Sequence, residues 1–256
     1  MIGSCNNMLF KKINTALDII LVYINWMKVY SDRLGFSKGN YVCKLRNGLV
    51  FKVRSGEGDI NIINEVFISK SYHTALKFIK KDSVVIDIGA HIGSFSILAG
   101  KIAKQGKIYS YEPFIGSDEL LKENVKLNNL DNVWDFNLAV NDKPNKKLKF
   151  YLRAIAGEYS GNSIYGSGKY IEVNSINLEQ IFKKNKIKSC DLLKIDCEGA
   201  EYNIILKTPK KLFKNINNII LEYHEGYGNP RALKDYLTSL GFQVTEVTKG
   251  VYLCLK

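Results

Sequence analysis

The chain has 256 residues, with ordinary hydrophobic and charged fractions of 46% and 24%, so it can bury the core of one globular α/β domain with an extension. Its five cysteines include no C-x-x-C pair, which argues against a disulfide framework or a zinc site and favours reduced thiols in the cytoplasm. The net charge of +12 comes almost entirely from lysine. Because arginine is the preferred residue for phosphate and base recognition, a nucleic-acid partner is less favoured than a solvated lysine surface.

The amino-terminal segment predicts an amphipathic helix over residues 10–30, where apolar residues recur at helical spacing. Its uninterrupted apolar piece, residues 19–24, is far shorter than the ~20 residues that a membrane span needs. The residues after it do not form the small-residue cleavage site of a signal peptide. We therefore predict a helical extension over residues 1–40 that packs on a main domain of residues 41–256, with peripheral contact to a membrane surface as the alternative.

A hairpin, a loop and a helix are predicted ahead of the main sheet. Residues 41–54 alternate in polarity around Asn47 and Gly48, which is a strong hairpin signal. A glycine-rich loop over residues 55–59 follows, and residues 60–79 have the pattern of a helix.

The most informative stretch begins with a buried strand over residues 84–88, which carries Asp87 among apolar residues. Gly89 and Gly93 follow, and residues 95–103 then have a helical pattern. A strand, a glycine turn and a helix form the first half of a nucleotide-binding βαβ unit, in which the helix N-terminus offers free N–H groups.

The spacing of this turn argues against a dinucleotide. A dinucleotide fingerprint reads G-x-G-x-x-G, whereas Ala90 stands here in place of the glycine that admits a pyrophosphate. We therefore expect a ligand with a nucleoside but no pyrophosphate, and S-adenosylmethionine (SAM) fits that description. A purely structural strand-to-helix turn is the alternative.

A second predicted strand, residues 107–113, ends in Glu112 about 20 residues beyond the glycine turn. In this class of sheet, an acid at that place accepts the ribose hydroxyls of a nucleoside. Pro113 ends the strand, and Ser117 is predicted to cap a helix that runs to Asn128.

Residues 133–140 predict a third strand, with Asn137 near its carboxyl end, where an adenine would lie. Two further strands are predicted over residues 146–153 and 169–174. The small polar loop between them, residues 154–168, is a candidate substrate lid or a plain surface loop.

A second dense group of polar residues follows the buried strand that runs into Asp196. If that strand persists, Lys194, Asp196 and Glu198 share one side of it. Charges at the carboxyl end of such a strand lie at the ligand crevice of an open α/β sheet.

The last part of the chain predicts a fifth strand over residues 217–224, which also ends in the polar residues Glu222 and His224. A helix over residues 230–240 and a closing hairpin over residues 242–255 follow. Such a hairpin is typical of a SAM-dependent methyltransferase and unusual in a dehydrogenase.

Several sequence blocks resemble one known family. The most specific is Leu-Leu-Lys-Ile-Asp-Cys-Glu-Gly-Ala-Glu, and the others are Val-Ile-Asp-Ile-Gly-Ala-His-Ile-Gly, Tyr-Glu-Pro, Asn-Leu-Ala-Val and Leu-Glu-Tyr-His, with Arg54, Asp59, Glu65-Val66-Phe67 and Tyr72 upstream. From roughly residue 41 to its end, the chain resembles the FkbM family of class I methyltransferases. His91 and Cys197 are mild departures, since Asn and Val are common at those places. The resemblance implies a Rossmann-like α/β fold with a mostly parallel seven-stranded sheet and a carboxyl-terminal antiparallel hairpin. It also implies O-methylation of hydroxyls on sugars, glycans or small metabolites.

The resemblance further implies a set of SAM-binding residues at the carboxyl ends of the strands. The set is Glu65, Tyr72, Asp87, Gly89, Ala90, His91, Gly93, Ser94, Glu112, Pro113, Asn137 and Asp196. Within it, Asp87 would order the glycine turn, Glu112 would hold the ribose, and Asn137 or its neighbours would lie at the adenine edge.

Methyl transfer to a hydroxyl needs alignment and the removal of one proton. His224 is the predicted base, because its unperturbed pKa is near neutrality, and Asp196 and Glu198 are its rivals. A metal-assisted variant with Asp196, Glu198 and Glu222 as oxygen ligands is a further alternative.

Three other functions stay open at this stage. A nicotinamide-dependent oxidoreductase is disfavoured by the missing middle glycine and by the closing hairpin. A nucleic-acid methyltransferase is disfavoured because amino-group methylation often relies on an Asn/Asp-Pro-Pro-aromatic tetrad, where residues 196–199 read Asp-Cys-Glu-Gly. A non-catalytic SAM-binding module is the third.

Overall fold

The computed structural model describes residues 16–69, 72–152, 159–160 and 170–256. From the amino-terminal side the elements are α1 (16–22), α2 (Trp26–Arg33), β1 (Asn40–Lys44), β2 (Val50–Arg54), α3 (Asp59–Phe67), α4 (His73–Leu76), β3 (Val84–Ile88), α5 (Ser94–Ile102), β4 (Lys107–Tyr111), α6 (Ile115–Leu127) and β5 (Val133–Phe136). They continue as β6 (Ala139–Val140), β7 (Lys147–Leu152), β8 (Tyr159–Ser160), β9 (Tyr170–Ile176), α7 (Leu178–Lys184), β10 (Cys190–Ile195), α8 (Glu201–Lys207), a 3₁₀ helix (Lys210–Asn215), β11 (Ile216–Glu222), α9 (Pro230–Ser239), β12 (Gln243–Thr248) and β13 (Val251–Leu255).

The predicted single amino-terminal helix is wrong, because the described part of it forms two helices, α1 and α2. Between them Tyr23 forms a β-bridge with Leu45, and the Ile24 N–H donates to the Lys44 carbonyl oxygen at 2.7 Å. Helical hydrogen bonds are therefore exchanged for bonds to the hairpin that follows. Residues 10–15 of that predicted helix lie outside the described residues.

The predicted hairpin is confirmed, with β1 and β2 antiparallel and joined by residues 45–49. The predicted helix over residues 60–79 is instead divided into α3 and α4. The last turn of α3 closes when the N–H groups of Ile68 and Ser69 both donate to the Asn64 carbonyl oxygen, at 2.8 and 2.9 Å.

Seven described strands form the central sheet, in the order β12-β13-β11-β10-β3-β4-β5. The five strands from β11 to β5 are mutually parallel, whereas β13 is antiparallel to both β11 and β12. This topology confirms the predicted Rossmann-like sheet, mostly parallel and closed by an antiparallel hairpin.

Both faces of the central strands are covered. Val85 and Leu192 lie in one apolar cluster with residues of α3, α5 and α6, whereas Ile86 and Leu193 lie in another with residues of α7, α8 and α9. This alternation is what a pleated strand buried on both sides requires. Ligand access is therefore left to the carboxyl ends of the strands.

The amino-terminal extension contributes to the first of these clusters. Ile19, Tyr23 and Val29 are fully buried in it. None of the helices that the structure describes is long and apolar enough to cross a bilayer.

The predicted third strand is split between two sheets. It ends at Phe136, the Leu138 N–H turns back to the Phe136 carbonyl oxygen at 2.8 Å, and β6 then joins a second sheet of order β6-β9-β7-β8. Within the predicted lid, residues 154–168, only residues 159–160 are described, as β8.

The predicted cap of the helix after β4 is also wrong. Helix α6 begins at Ile115, and Phe114 is its N-cap without a side-chain hydrogen bond. Ser117 lies in the first turn, where its hydroxyl accepts a hydrogen bond from Arg54 Nη2 at 3.2 Å.

Candidate active site

A cavity of about 360 Å³ lies at the carboxyl ends of β3, β4 and β10, beside α3 and the second sheet. Most of the residues predicted for SAM binding or catalysis line it: Glu65, Tyr72, Gly89, Ala90, His91, Ser94, Glu112, Pro113, Asp196 and Glu198. Four others do not line the cavity as the described residues form it: Asp87, Gly93, Asn137 and His224. Of these, Gly93 is the N-cap of α5.

The glycine turn joins the ends of three parallel strands. Gly89 has a φ of +77°, and a Cβ atom there would lie 1.7 Å from the Asp196 carbonyl oxygen, so only glycine fits. The N–H groups of Gly89 and Ala90 both donate to the Tyr111 carbonyl oxygen, at 3.0 and 3.1 Å. The turn therefore holds the ends of β3, β4 and β10 at fixed separations.

A buried ion pair lies beneath this turn. The Asp87 carboxylate is fully buried, accepts a hydrogen bond from Ser96 Oγ at 2.6 Å and lies 3.2 Å from Lys194 Nζ. Lys194 Nζ also donates to the Gly89 carbonyl oxygen at 2.8 Å.

Lys194 had no assigned role in the sequence analysis, although it was recognised in the charged block. Burial by itself lowers the pKa of Lys194, but the carboxylates of Asp87 and Asp196 outweigh it and raise that pKa above its usual value. The ammonium group therefore stays charged inside the protein, where it neutralises Asp87.

Glu112 lies in the loop after β4 and is only 4% exposed. One carboxylate oxygen accepts the His91 N–H at 2.8 Å and the other accepts the Phe114 N–H at 2.9 Å. Burial raises the pKa of Glu112 to about 7, although these two hydrogen bonds favour the ionised form and lower it. Each oxygen keeps a lone pair that a ribose hydroxyl could use.

Asn137 itself does not line the cavity as the described residues form it, whereas its neighbours Ala139 and Val140 do. Its side-chain amide donates to the carbonyl oxygens of Glu112 and Pro113, at 3.0 and 2.9 Å. It therefore supports the backbone that carries Glu112 and does not face the cavity.

Residues in and near the second sheet line one side of the cavity, and the sequence analysis assigned no role to any of them by name. They are Phe114, Ala139, Val140, Asn141, Leu148 and Phe150. The rings of Phe114 and Phe150 meet edge to face with centroids 5.4 Å apart. No local sequence signal identifies them, because the second sheet reaches the cavity only through tertiary packing.

The other side of the cavity is acidic. The Tyr72 hydroxyl lies 3.0 Å from both Asp196 Oδ2 and Glu222 Oε2, and its single proton can serve one of them at a time. Burial, and then the carboxylates of Asp196 and Glu222, raise the pKa of Glu65 to about 8. A cationic ligand would relieve this repulsion.

Arg54 and Asp59, which the resemblance singled out, orient the helix beside the cavity. Arg54 Nε and Nη2 contact the fully buried Asp59 carboxylate at 3.0 and 2.8 Å. This bidentate pair secures the start of α3, which carries Glu65 into the cavity. Burial, with the nearby Arg54 charge, lowers the pKa of His91 to about 4 despite the Asp59 carboxylate.

His224 is held by a residue to which the sequence analysis gave no site role, Glu201. His224 Nδ1 lies 2.9 Å from Glu201 Oε1, and His224 Nε2 lies 3.5 Å from Glu198 Oε2. Burial by itself lowers the pKa of His224, but Glu201 and then Glu198 raise it to about 9. His224 is therefore mostly protonated at neutral pH in the ligand-free protein, which disfavours it as a proton acceptor.

The strand does not continue as far as predicted, so it does not place Lys194, Asp196 and Glu198 on one side. β10 ends at Ile195, and Glu198 adopts a left-handed conformation with a φ of +54°. His91, at +50°, is in the same region. Non-glycine residues in this conformation are uncommon and often mark functional loops, and both of these line the cavity.

Comparison with known proteins agrees with this geometry. The profile of a family described as "Methyltransferase FkbM domain" matches residues 87–244. Methyltransferase sdnD of Sordaria araneosa is 24% identical over 214 residues, which cover 72% of this chain and 82% of the relative. The 31-O-demethyl-FK506 methyltransferase FkbM of Streptomyces tacrolimicus is 23% identical over 231 residues, which cover 78% of this chain and 88% of the relative.

Among solved structures, methyltransferase FkbM from Methylobacillus flagellatus KT aligns with a TM-score of 0.48 and 13% identity, over 69% of this chain and 44% of that one. The family profile covers more than half of the chain and spans the glycine turn, Glu112 and the acidic loop. The chain belongs to the FkbM methyltransferase family and is a SAM-dependent methyltransferase.

Proposed function

We propose that this enzyme transfers the methyl group of SAM to a hydroxyl oxygen of a sugar, a glycan or a small metabolite. The observation that carries the proposal is the placement of Glu112 and of the Asp196–Glu198 loop on opposite sides of β3, at one cavity. The strands β4 and β10 flank β3, so these two loops are about two strand spacings, or ~10 Å, apart.

The residues present fit SAM. The ribose of SAM needs a hydrogen-bond acceptor, and Glu112 offers free lone pairs at the cavity wall. The ammonium and sulfonium groups of SAM are cationic, and the neighbouring carboxylates of Asp196 and Glu222 provide negative charge on the acidic side. SAM, when bound, supplies a methyl group that is already activated, so the protein mainly has to align the acceptor and remove its proton.

We assign the proton acceptor to Glu198. It lines the cavity, and its side chain is 54% exposed, so an acceptor hydroxyl can reach it. Asp196 already accepts a hydrogen bond from Tyr72 and lies 3.5 Å from Lys194 Nζ. His224 does not line the cavity, within the part of the chain that the structure describes, and it stays a secondary candidate.

Two observations support oxygen over nitrogen as the methyl acceptor. Residues 196–199 read Asp-Cys-Glu-Gly and lack the proline-aromatic tetrad of many amino methyltransferases. The Streptomyces relative is named for a substrate, 31-O-demethyl-FK506, that lacks an O-methyl group.

The test uses the full chain and two readouts. Calorimetric titration with SAM and S-adenosylhomocysteine measures cofactor binding, and methyl-labelled SAM with a panel of sugars, glycans and polyhydroxylated metabolites measures transfer. We expect Glu112→Ala to abolish SAM binding while the far-ultraviolet circular dichroism spectrum is retained.

The acceptor role of Glu198 is tested by Glu198→Gln. We expect kcat to fall about 100-fold or more, as for loss of a general base, with the SAM Kd unchanged within about threefold. Glu119→Gln, which removes an exposed carboxylate of α6, is the matched control and should be silent. A product with its new methyl group on nitrogen would refute O-methylation, and unchanged kcat in Glu198→Gln would refute the role of Glu198.

A further inference from the structure

We infer that Asp196, Glu201 and His224 form a binding site for a divalent transition-metal ion at the edge of the methyl-transfer cavity. The three side chains come from three elements: Asp196 follows β10, Glu201 begins α8 and His224 follows β11. This set differs from the oxygen-only set of Asp196, Glu198 and Glu222 that the sequence suggested.

The first observation is geometric. One ligand atom from each of the three side chains lies within 4.8 Å of the other two. Atoms bound to one ion at about 2.1 Å can be at most about 4.2 Å apart, so shifts of about half an ångström would bring all three onto one ion. Glu201 is buried, and Asp196 and His224 are half-buried. The packing of the protein therefore keeps these atoms together without a ligand.

The second observation is independent of that spacing. Glu201 is fully buried, and its Oε2 atom has no hydrogen-bond partner within the described residues. Its other oxygen, Oε1, accepts the Cys197 N–H at 3.0 Å and contacts His224 Nδ1 at 2.9 Å. A buried carboxylate oxygen without a partner is costly, and a cation bound in this cluster would supply the missing partner.

The surrounding charge favours a cation. Glu198 and Glu222 add two carboxylates beside the proposed ligands, since Glu198 Oε2 lies 3.5 Å from His224 and Glu222 shares the Tyr72 hydroxyl with Asp196. The neighbouring ammonium group is that of Lys194, which is already engaged by Asp87 and the Gly89 carbonyl oxygen. The cluster therefore carries more negative than positive charge.

The donor set indicates the class of ion. Two carboxylates and one neutral imidazole suit ions such as Mn²⁺, Co²⁺ or Zn²⁺, whereas Ca²⁺ prefers six to eight oxygen ligands. His224 would release its proton to solvent when it binds the ion. Three protein ligands also leave coordination positions open. An acceptor oxygen could bind there and become more acidic; this role rests on the proposed O-methylation, whereas ion binding itself does not.

The experiment titrates the chelator-treated full-length protein with Co²⁺, followed by calorimetry and by visible absorption of the bound ion, without SAM or acceptor. We expect one Co²⁺ per chain. Asp196→Asn and His224→Asn should each weaken binding by at least about tenfold, the lower bound for disturbing a metal site. Glu201→Gln should do the same, and because this residue is buried, circular dichroism must first show that the variant folds.

Two control variants separate this site from the alternatives. Glu225→Gln removes an exposed carboxylate next to His224 and should leave the Co²⁺ affinity unchanged. Glu198→Gln removes a neighbouring charge but no proposed ligand, so it should weaken binding much less than the ligand variants do. It would weaken binding as strongly as they do if the oxygen-only set held the ion.

Failure of this inference is distinguishable from failure of the proposed function. Absence of Co²⁺ binding, or equal binding by the wild-type protein and the Asp196→Asn and His224→Asn variants, overturns the metal site. A parallel SAM titration of the same samples reports on the methyltransferase cavity and does not depend on that outcome.

Discussion

Two loops at the carboxyl edge of the sheet follow neighbouring parallel strands, and they are built on opposite principles. The glycine turn, residues 89–93, follows β3, and the acidic loop, residues 196–200, follows β10. Each contains one non-glycine residue in the left-handed region, His91 in the first and Glu198 in the second.

The first three backbone N–H groups of the glycine turn find their hydrogen-bond partners within the protein. The N–H groups of Gly89 and Ala90 bond to β4, and the His91 N–H bonds to Glu112. The charge of Asp87 beneath the turn is neutralised by Lys194. Burial lowers the pKa of His91 to about 4, so the turn carries no charge of its own at neutral pH.

The acidic loop retains unbalanced charge. Burial, and then the neighbouring carboxylates, keep the pKa of Glu198 above its usual value even though the His224 charge lowers it. We therefore propose a division of labour, in which the backbone geometry of the glycine turn would position the cofactor and the side-chain charge of the acidic loop would serve the chemistry. Substitutions that add side-chain atoms should therefore affect the glycine turn most, and substitutions that remove a charge should affect the acidic loop most.

The largest effect is expected from Gly89→Ala, which tests the rigidity of the turn. The new methyl group would lie 1.7 Å from the backbone oxygen of Asp196, so we expect a loss of about 4 kcal/mol or more in the free energy of unfolding, measured in urea. In Gly199→Ala, in the acidic loop, the new Cβ atom would lie 2.4 Å from the Tyr227 ring. Because a side chain can move, the loss of unfolding free energy should be about half as large.

The control for both is Gly48→Ala. Gly48 is also left-handed, with a φ of +86°, but a Cβ atom there would meet no atom within 4 Å. Its cost should be only the conformational penalty of about 1 kcal/mol. Equal losses in all three variants would contradict the contrast between the two loops.

The next largest effect is expected from Lys194→Met, which removes the charge that the glycine turn shares with the acidic loop. Lys194 is 4% exposed, and its loss leaves the buried Asp87 carboxylate uncompensated, so we expect a destabilisation of about 3 kcal/mol. Adding Asp87→Asn should recover part of that loss, and a double-mutant cycle of urea unfolding measures it. Strictly additive effects would show that the two residues do not interact.

A smaller effect, on cofactor affinity, is expected from the pH dependence of Glu112. In the proposed SAM site a ribose hydroxyl would donate to the ionised carboxylate, so SAM binding would have to remove the proton that Glu112 holds below its pKa of about 7. We expect the SAM Kd to be about tenfold higher at pH 6 than well above pH 7. Glu112→Gln should bind SAM more weakly at every pH and lack this dependence; the same slope in both proteins would exclude Glu112 as its source.

Unfolding of the SAM-free protein gives a second readout for Glu112. Burial raises its folded-state pKa from 4.5 to about 7, so the folded state binds this proton more tightly than the unfolded chain. The resulting stability is fully present below pH 4.5 and is lost as the pH rises to 7. The free energy of unfolding of wild type minus that of Glu112→Gln should therefore fall as the pH rises through that window and stay constant above it.

The smallest effect at neutral pH is expected from His91→Asn. Asparagine adopts a φ of +50° more readily than most residues, so the free energy of unfolding should change by less than about 0.5 kcal/mol at pH 7.5. Because the folded-state pKa of His91 is lowered from 6.5 to about 4, wild type should lose stability relative to the variant as the pH falls through that window. Parallel pH profiles would show that His91 is not buried in its neutral form.

Much of the frame of the site could be predicted from local sequence. The strand with Asp87, the turn at Gly89 and the acids at Glu112 and Asp196 are all marked by apolar runs that end in glycine or in a carboxylate. Such signals work because a buried parallel strand must be apolar on both faces, and because its carboxyl end faces the ligand crevice.

Local sequence could not predict where helices break or which side chains meet. The break between α1 and α2 depends on the hairpin, through the bond from Ile24 to Lys44, and Asn137 is turned from the cavity by the carbonyl oxygens of Glu112 and Pro113. Both outcomes depend on hydrogen-bond partners that are distant in sequence, and local propensity carries no information about them.

The sequence by itself determined the strand and helix around the glycine turn, the closing hairpin and the acids at the strand ends, because these follow from short-range periodicity and from the special geometry of glycine. Only the tertiary structure decided that Lys194 neutralises Asp87 and that Glu201 meets His224. Burial and charge pairing are properties of the packed protein, so the chemistry of this site was set when parallel strands remote in sequence came together at one edge of the sheet.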